Sequence, residues 1–124
     1  MRGLMKTALA FWQRTGVKAY LTGQLPEDAA PPYLTYEIKG EGFGRAVRCV
    51  AHGYFLGEEA NAERAAFLQR VEEMLPEGGV KMEKEEEMVV IRRATGDFER
   101  LEEKQTVPRL CTAHVQVEMV RYGQ

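Results

Sequence analysis

The sequence predicts an α+β fold, with a single mostly antiparallel sheet and two helices packed on one face, in the order α-β-β-α-β-β-β. Two stretches with apolar residues at helical spacing and five segments typical of strands support this prediction. Short turns join most of the strands, and strands joined in this way pair antiparallel. A chain of 124 residues has the commonest size of one domain, so we expect residues 1–124 to share a single core.

Each predicted helix carries one apolar stripe. The first stripe consists of Leu4, Ala8, Phe11 and Trp12, and the second consists of Phe67, Val71, Met74 and Leu75. We expect Gly16 to end the first helix, because glycine adopts the left-handed conformation of a helix C-terminus without strain. The second helix is expected to begin near Asn61, a good N-cap residue, and to end at Pro76.

The predicted strands are rich in β-branched and aromatic residues or alternate between apolar and polar residues. They cover residues 33–38, 45–56, 80–82, 88–92 and 111–119. Residues 17–21 indicate a short extended piece that is not counted among these strands. Residues 24–32 contain three prolines and predict a connector. Residues 94–108 lack periodicity, and a connection of that length is usually functional or mobile.

Composition and charge exclude several classes of function. A net charge of −2 argues against a general binder of nucleic acid, whose affinity depends on neutralising phosphates. No apolar run approaches the roughly 20 residues of a membrane helix, and residues 1–12 lack the features of a secretion signal. The charge is uneven: residues 1–57 carry +3 and residues 58–104 carry −6. Regions of opposite charge allow copies of the chain to attract one another.

Two Cys-x-x-His pairs, Cys49 with His52 and Cys111 with His114, supply the number of ligands that a tetrahedral zinc site needs. Both pairs lie inside predicted strands, where residues three apart point to opposite faces. We therefore expect the cysteines to be free thiols in the core and the histidines to lie on the polar face. The sequence therefore predicts a chain that binds no metal and no other cofactor.

The other candidates for chemistry are weak. The residues between Gly40 and Gly44 lack the helix and lysine of a phosphate-binding loop. The chain has no serine, and no cysteine lies in the context of a known nucleophile. Aromatic residues near two arginines can stack on single-stranded nucleic acid, although core packing or a subunit interface explains them equally well. This set is Tyr33, Tyr36, Tyr54, Phe55, Arg45 and Arg48. We expect no active site.

The layout of the chain resembles that of the tail-completion, or tail terminator, proteins of long-tailed bacteriophages and prophages. A short N-terminal helix precedes a proline-rich lead into the segment Pro-Tyr-Leu-Thr-Tyr at residues 32–36. A long strand at 46–55, a helix beginning at 61, a Gly-Gly pair at 78–79 and a final strand at 109–122 follow. The resemblance spans nearly the whole chain and concerns layout and length. Related neck and minor tail proteins share similar layouts.

The resemblance implies a structural protein and not an enzyme. Members of that family form a ring, usually hexameric, that caps the tail tube, ends its polymerisation and offers a surface to the head connector. Its expected partners are therefore copies of itself, the tail tube protein and a head-completion protein, without sequence-specific binding of nucleic acid or a membrane. The expected location is the tail or neck of the virion, after synthesis in the bacterial cytoplasm. A small cytosolic regulatory or interaction domain is the first alternative, and a metal-dependent or other enzyme is the second.

Two groups of residues are candidates for contacts in such a ring. The first surrounds the connection at 94–108, because arginine is enriched at interfaces, and solvated strand ends are the alternative. It comprises Arg92, Arg93, Phe98, Arg100, Leu101 and Arg109. The second is the acidic run Glu83, Glu85, Glu86 and Glu87. This run is expected at a solvated hairpin tip, and in a ring it is expected to face the lumen, where like charge repels DNA.

Overall fold

The computed structural model describes residues 2–40, 46–84, 87–93, 99–100 and 110–123. Within these ranges the chain forms two helices and seven strands. In chain order they are α1 (Arg2–Gln13), β1 (Lys18–Leu21), β2 (Tyr33–Lys39), β3 (Ala46–Leu56), α2 (Ala60–Met74), β4 (Val80–Lys84), β5 (Glu87–Arg93), β6 (Glu99–Arg100) and β7 (Leu110–Gly123). The α+β class is confirmed.

All seven strands belong to one sheet. Its order is β1-β2-β3-β7-β5-β4, and the two-residue strand β6 also pairs with β7. The longest pairing joins β3 to β7 antiparallel, from Ala46 opposite Val120 to Leu56 opposite Leu110. The N-terminal strand β1 instead runs parallel to β2. The middle and the last thirds of the chain therefore meet at the centre of the sheet.

The alternation of side chains gives the sheet two unlike faces. On β3 and β7 the odd-numbered residues point to one side, and on β2 the even-numbered residues join them through the strand register. We call this side the covered face, because its residues are almost all buried. They include Leu34, Tyr36, Cys49, Ala51, Phe55, Cys111, Ala113, Val115, Val117 and Met119. The opposite side is called the open face.

Both helices pack on the covered face. The indole Nε1–H of Trp12 in α1 donates a hydrogen bond to Cys49 Sγ at 3.3 Å. The ring of Phe67 in α2 lies 5.7 Å from the ring of Phe55, measured between centroids. Because Cys49 and Phe55 are six residues apart on β3, they point to the same side of the sheet. The predicted arrangement of two helices on one face is therefore confirmed, and the open face has no helix over it in the described residues.

The number and order of strands differ from the prediction. The sheet has seven described strands where the sequence predicted five, and it is mixed because β1 pairs parallel with β2. A segment of four residues is too short for its periodicity to be recognised, and residues 22–32 carry the chain back to the end of the sheet where β1 began. The segment at 94–108 also contains an unpredicted strand, β6. Its other residues, 94–98 and 101–108, lie outside the described residues.

Two local predictions are corrected. Asn61 is not the N-cap of α2, since the helix begins at Ala60 and Glu59 precedes it without a side-chain cap bond. The Asn61 side chain instead accepts a hydrogen bond from Cys111 Sγ at 3.1 Å, which ties the first turn of α2 to β7. The acidic run is also not confined to a hairpin tip. Lys84 pairs with Glu87, so Glu83 and Glu87 lie within β4 and β5.

Neighbouring residues on opposite faces of β3 provide a test of this architecture. We predict that Phe55→Ala destabilises the fold by about 3–5 kcal/mol, because the ring is fully buried and its removal leaves a cavity. Leu56→Ala is the matched control, since Leu56 is 46% exposed and its loss should change stability by no more than about 0.5 kcal/mol. Urea unfolding measures both free energies. Equal losses would show that β3 does not have the assigned orientation.

Candidate interaction surface

The open face is a sheet surface that no helix covers in the described part of the fold. Its side chains are half-buried or exposed except for three valines, Val50, Val90 and Val120, which are shielded by their neighbours on the sheet. One uncovered face is a usual property of antiparallel sheets. Here, however, that face carries tyrosines, histidines and arginines, which are the residue types that protein interfaces and ligand sites use.

Three tyrosines cross one end of the open face. Tyr20, Tyr33 and Tyr54 lie on β1, β2 and β3, and all are half-buried. The ring centroids of Tyr20 and Tyr33 are 6.3 Å apart, and those of Tyr33 and Tyr54 are 5.2 Å apart. These distances are typical of aromatic pairs in contact. The result is a continuous aromatic strip over three strands.

The aromatic residues that the sequence suggested for stacking on nucleic acid do not share one face of the sheet. Tyr36 and Phe55 lie on the covered face and are buried, so neither can stack on a ligand. Tyr33, Tyr54 and Arg48 lie on the open face. Arg45 lies outside the described residues.

Two histidines lie at the centre of the open face. His52 and His114 are directly opposite each other in the β3–β7 pairing, and their ring centroids are 4.6 Å apart. Cys49 and Cys111 are on the other side of the sheet, as their spacing from the histidines predicts. The four side chains therefore do not converge on one point. In the part of the chain that the structure describes, no three His, Cys, Asp or Glu residues form a metal-binding group.

A ladder of charges follows beyond the histidines. Lys39, Arg48, Glu118 and Arg92 occupy one row across β2, β3, β7 and β5. The Arg92 guanidinium donates two hydrogen bonds to a single carboxylate oxygen of Glu118, one of them at 2.8 Å from Nε. Arg48, on the other side of Glu118, is exposed. This row makes one end of the open face cationic.

The arginines selected from the sequence do not form one cluster. Arg92 is on the open face, whereas its neighbour Arg93 points to the helix side and contacts a carboxylate oxygen of Glu72 at 3.2 Å. A groove of about 510 Å³ lies between these arginines and the end of α2, lined by residues 75–79. Gly79 borders it with φ +85°, and an added Cβ would lie 2.6 Å from the carbonyl oxygen of Ile91.

The structure describes only some of the remaining candidate residues. Glu83 is exposed on β4 and lies on the open face, opposite Met88. The backbones of Glu87 and Arg100 belong to β5 and β6. The other five candidates lie outside the described residues: Glu85, Glu86, Phe98, Leu101 and Arg109.

The outer side of α2 is acidic together with its flanking turns. It lies on the helix side of the sheet, away from the open face, and we call it the α2 surface. Its carboxylates are Glu58, Glu59, Glu63, Glu72, Glu73 and Glu77, against the two cations Arg64 and Arg70. The open face instead has five described cations, Lys18, Lys39, Arg48, Lys81 and Arg92, against the three carboxylates Glu37, Glu83 and Glu118. The α2 surface therefore has an excess of carboxylates, and the open face has an excess of cations.

The thiol of Cys49 is held in its protonated form in the core. Burial raises the pKa of the Cys49 thiol to about 11, and the hydrogen bond from Trp12 opposes this only in part. A thiol with such a pKa is protonated at neutral pH and is a poor nucleophile. Burial also raises the pKa of Tyr36, and the nearby Cys49 adds to the effect. These two groups stabilise the core as neutral side chains.

Sequence reasoning missed the part of the surface that comes from β1. Tyr20 and Lys18 reach the open face only because β1 joins the sheet beside β2. The alternation of Thr112, His114, Gln116 and Glu118 did predict a polar face on the last strand, and this face is confirmed. One signal could have placed Tyr20. Neighbouring residues of a strand point to opposite faces, so Leu21 on the covered face puts Tyr20 on the open face.

Comparisons with known proteins do not assign the chain to a family. No family model matches the chain, and a search of curated proteins gives no significant match. Among the described residues, no helix is long and apolar enough to cross a membrane.

The buried thiol predicts a loss of stability at high pH. Because the folded state holds the Cys49 proton more tightly than the unfolded state, its contribution is complete below about pH 9 and disappears as the pH rises through about 11. We expect a decrease on the order of 2 kcal/mol in the free energy of unfolding over this range. The measurement is urea unfolding at several pH values.

Cys49→Ala is the comparison variant for this prediction. It is less stable than the native chain at pH 7, because it loses buried volume, but its stability should fall less between pH 9 and 11. Parallel pH profiles for the two proteins would contradict the role assigned to Cys49.

Proposed function

We propose that this chain is a non-enzymatic structural protein of a phage or prophage tail, which forms a ring with copies of itself. The ring caps the tail tube, ends its polymerisation and offers a surface for joining the head. The observation that carries the self-assembly is the pair of oppositely charged surfaces on opposite sides of the fold. The role in the tail follows from the resemblance of the chain's layout to the tail terminator proteins.

The open face is the first half of the proposed contact. It presents the exposed cations Lys39 and Arg48 and, at one end, a strip of tyrosines. Tyrosine and arginine are enriched where proteins bind one another, because each combines a large contact area with polar bonding. A second copy of the chain supplies the complementary surface.

The α2 surface is the second half. It carries an excess of carboxylates, with Glu59 and Glu73 exposed, and it lies on the side of the molecule away from the open face. A contact between these two unlike surfaces joins copies head to tail. Such a heterologous contact produces a ring when its rotation closes, and an open filament when it does not. The charge complementarity also favours the correct orientation of two copies over the reversed one.

The resemblance supplies the number of copies and the partners. It implies six subunits, with the tail tube protein on one side of the ring and a head connector or head-completion protein on the other. The cationic row and Glu83 lie on the open face, so both would be affected by assembly. The lumen location proposed for Glu83 and its neighbours remains a prediction.

The mass of the native protein tests the ring. Across a concentration series, light scattering should detect a species of six times 14.1 kDa, about 85 kDa, in exchange with smaller species. Higher ionic strength should weaken the assembly, because salt screens charges that are exposed. A dimer whose mass is constant over the whole series would contradict a ring and favour a small regulatory or interaction domain.

Charge reversal tests which surfaces meet. Arg48→Glu places a carboxylate on the open face, and we predict that it raises the concentration for half-assembly by about tenfold or more, equivalent to about 1.4 kcal/mol. Combining it with Glu73→Arg should restore part of the assembly, since the two charges are then exchanged between the surfaces.

Glu27→Arg is the matched control for these variants, because Glu27 is exposed on the connector between β1 and β2. It changes the net charge as Glu73→Arg does, equal in size and opposite in sign to Arg48→Glu, and should leave the assembly unchanged. An equal effect of Arg48→Glu and Glu27→Arg would contradict the surfaces that we assign.

A further inference from the structure

The outer strand β4 leaves one edge of the sheet unpaired within the described part of the chain. It lies at the end of the strand order, next to β5. An unpaired edge presents a row of backbone N–H and C=O groups, which is a template for a strand of another molecule. Charged residues on an edge strand usually prevent such pairing. The edge of β4 carries two of them in exposed positions, Lys81 and Glu83, and their effect depends on what lies opposite them.

The same two residues direct their backbone groups outward. The carbonyl oxygen of Ile91 lies 2.6 Å from the position that a Cβ on Gly79 would occupy, so it points towards β4. Ile91 is opposite Val80, and the residues of a strand alternate between bonding to one neighbour and pointing to the other side. Val80 therefore bonds to β5, whereas Lys81 and Glu83 offer their N–H and C=O groups to the free side.

The sequence of β4 is complementary to itself in one antiparallel register. When Lys81 of one copy lies opposite Glu83 of a second copy, a twofold axis repeats this pair and brings Met82 opposite Met82. Val80 then lies opposite Lys84 at each end. A shift by two residues instead places Lys81 against Lys81 or Glu83 against Glu83, and like charges directly opposite each other are destabilising. A shift by one residue would mismatch the two faces of the sheets.

Both charged side chains are placed for a contact of this kind. Lys81 and Glu83 are exposed at the margin of the open face, and neither forms an ion pair with another described residue. In the complementary register each of them gains an opposite charge, and its outward backbone groups gain the partners of an antiparallel ladder. The charges that would repel most other strands therefore favour a second copy of β4.

We propose that β4 pairs antiparallel with β4 of a second copy of this chain, so that two sheets join edge to edge about a twofold axis. The contact is isologous, because both copies use the same residues, and it therefore closes with two copies. Pairing between strands of five residues buries a small area, so the contact is weak and depends on protein concentration. It rests neither on the tail function nor on the contact between the open face and the α2 surface.

Disulfide trapping tests the register. Lys81→Cys and Glu83→Cys are prepared as separate full-length proteins, mixed in equal amounts and oxidised in a glutathione buffer. The native cysteines are buried and do not compete. In the proposed pairing, the two introduced thiols are on directly opposite residues, with Cα atoms about 5.5 Å apart, within reach of a disulfide. Two copies of one variant place their thiols diagonally, about 7–8 Å apart. Mass spectrometry should therefore find mainly mixed dimers, well above the roughly one half that random linkage gives.

A second mixture is the control for a different occupant of the edge. Lys18→Cys places a thiol on β1, the strand at the other end of the sheet order. Mixed with Glu83→Cys, it should give no excess of mixed dimers over random linkage, because the proposal pairs β4 with β4 and leaves β1 out.

Charge variants test the ion pairs. Glu83→Lys places lysine opposite lysine twice, and it should raise the dissociation constant of the dimer by about tenfold or more. Adding Lys81→Glu exchanges the charges and should restore the affinity. Glu27→Lys is the matched control, with the same change of net charge at an exposed position on the connector. Sedimentation equilibrium measures all variants in a chain that also carries Arg48→Glu, which weakens the proposed ring contact, so that failure of the ring and failure of this dimer are distinguished.

Three results would overturn the proposal. Oxidation could yield no linked dimers, or mixed and unmixed dimers of Lys81→Cys and Glu83→Cys in random proportion. Alternatively, Glu83→Cys could link preferentially to Lys18→Cys, which would place β1 of a second copy on this edge. Finally, Glu83→Lys and Glu27→Lys could change the dissociation constant equally.

Discussion

The pairing of β3 with β7 is the constraint on which the rest of the structure depends. Each of the 11 residues of β3 has a partner in β7, so the two longest strands are fixed at the centre of the sheet. This single register decides which residues lie under the helices and which lie on the open face. A shift by one residue would exchange the faces, bringing His52 and Arg48 into the core and Cys49 and Phe55 into solvent. The hydrophobic core thus selects the surface as well.

Because the hydrophobic core lies on the covered face, the side chains of the open face can contact other molecules. Both helices bury their apolar stripes on one side of the sheet, where Trp12 bonds to Cys49 and Phe67 packs on Phe55. Apart from its three shielded valines, the open face then contributes no side chains to the core. Its tyrosines, histidines and arginines can therefore serve contacts outside the fold. Because α2 carries an excess of carboxylates on its outer side, the molecule acquires two unlike charged surfaces, which is the requirement for head-to-tail assembly.

Sequence patterns predicted the parts of the fold that have strong periodicity. The stripe from Leu4 to Trp12 and the alternation after Cys111 placed α1 and β7, and the spacing within Cys-x-x-His correctly separated thiols from imidazoles. The short strands β1 and β6 were not predicted, because four residues and two residues are too few to show a period. The pairing of β1 with β2 depends on how residues 22–32 return across the sheet, which local patterns do not contain. Cross-strand neighbours such as His52 and His114 were found separately, but their contact requires the register.

Cross-linking of mixed copies tests the central claim that the open face of one copy meets the α2 surface of the next. Protein labelled with ¹⁵N is mixed with unlabelled protein, assembled and treated with a carbodiimide, which joins lysine to carboxylate groups in direct contact. The account predicts links of mixed isotope composition between Lys39 or Lys81 and the carboxylates of α2, such as Glu73. Links between Lys39 and Glu37, which lie 3.6 Å apart within one chain, should have a single isotope composition. Mixed links that join the carboxylates of α2 only to lysines away from the open face, such as Lys6 of α1, would contradict the account.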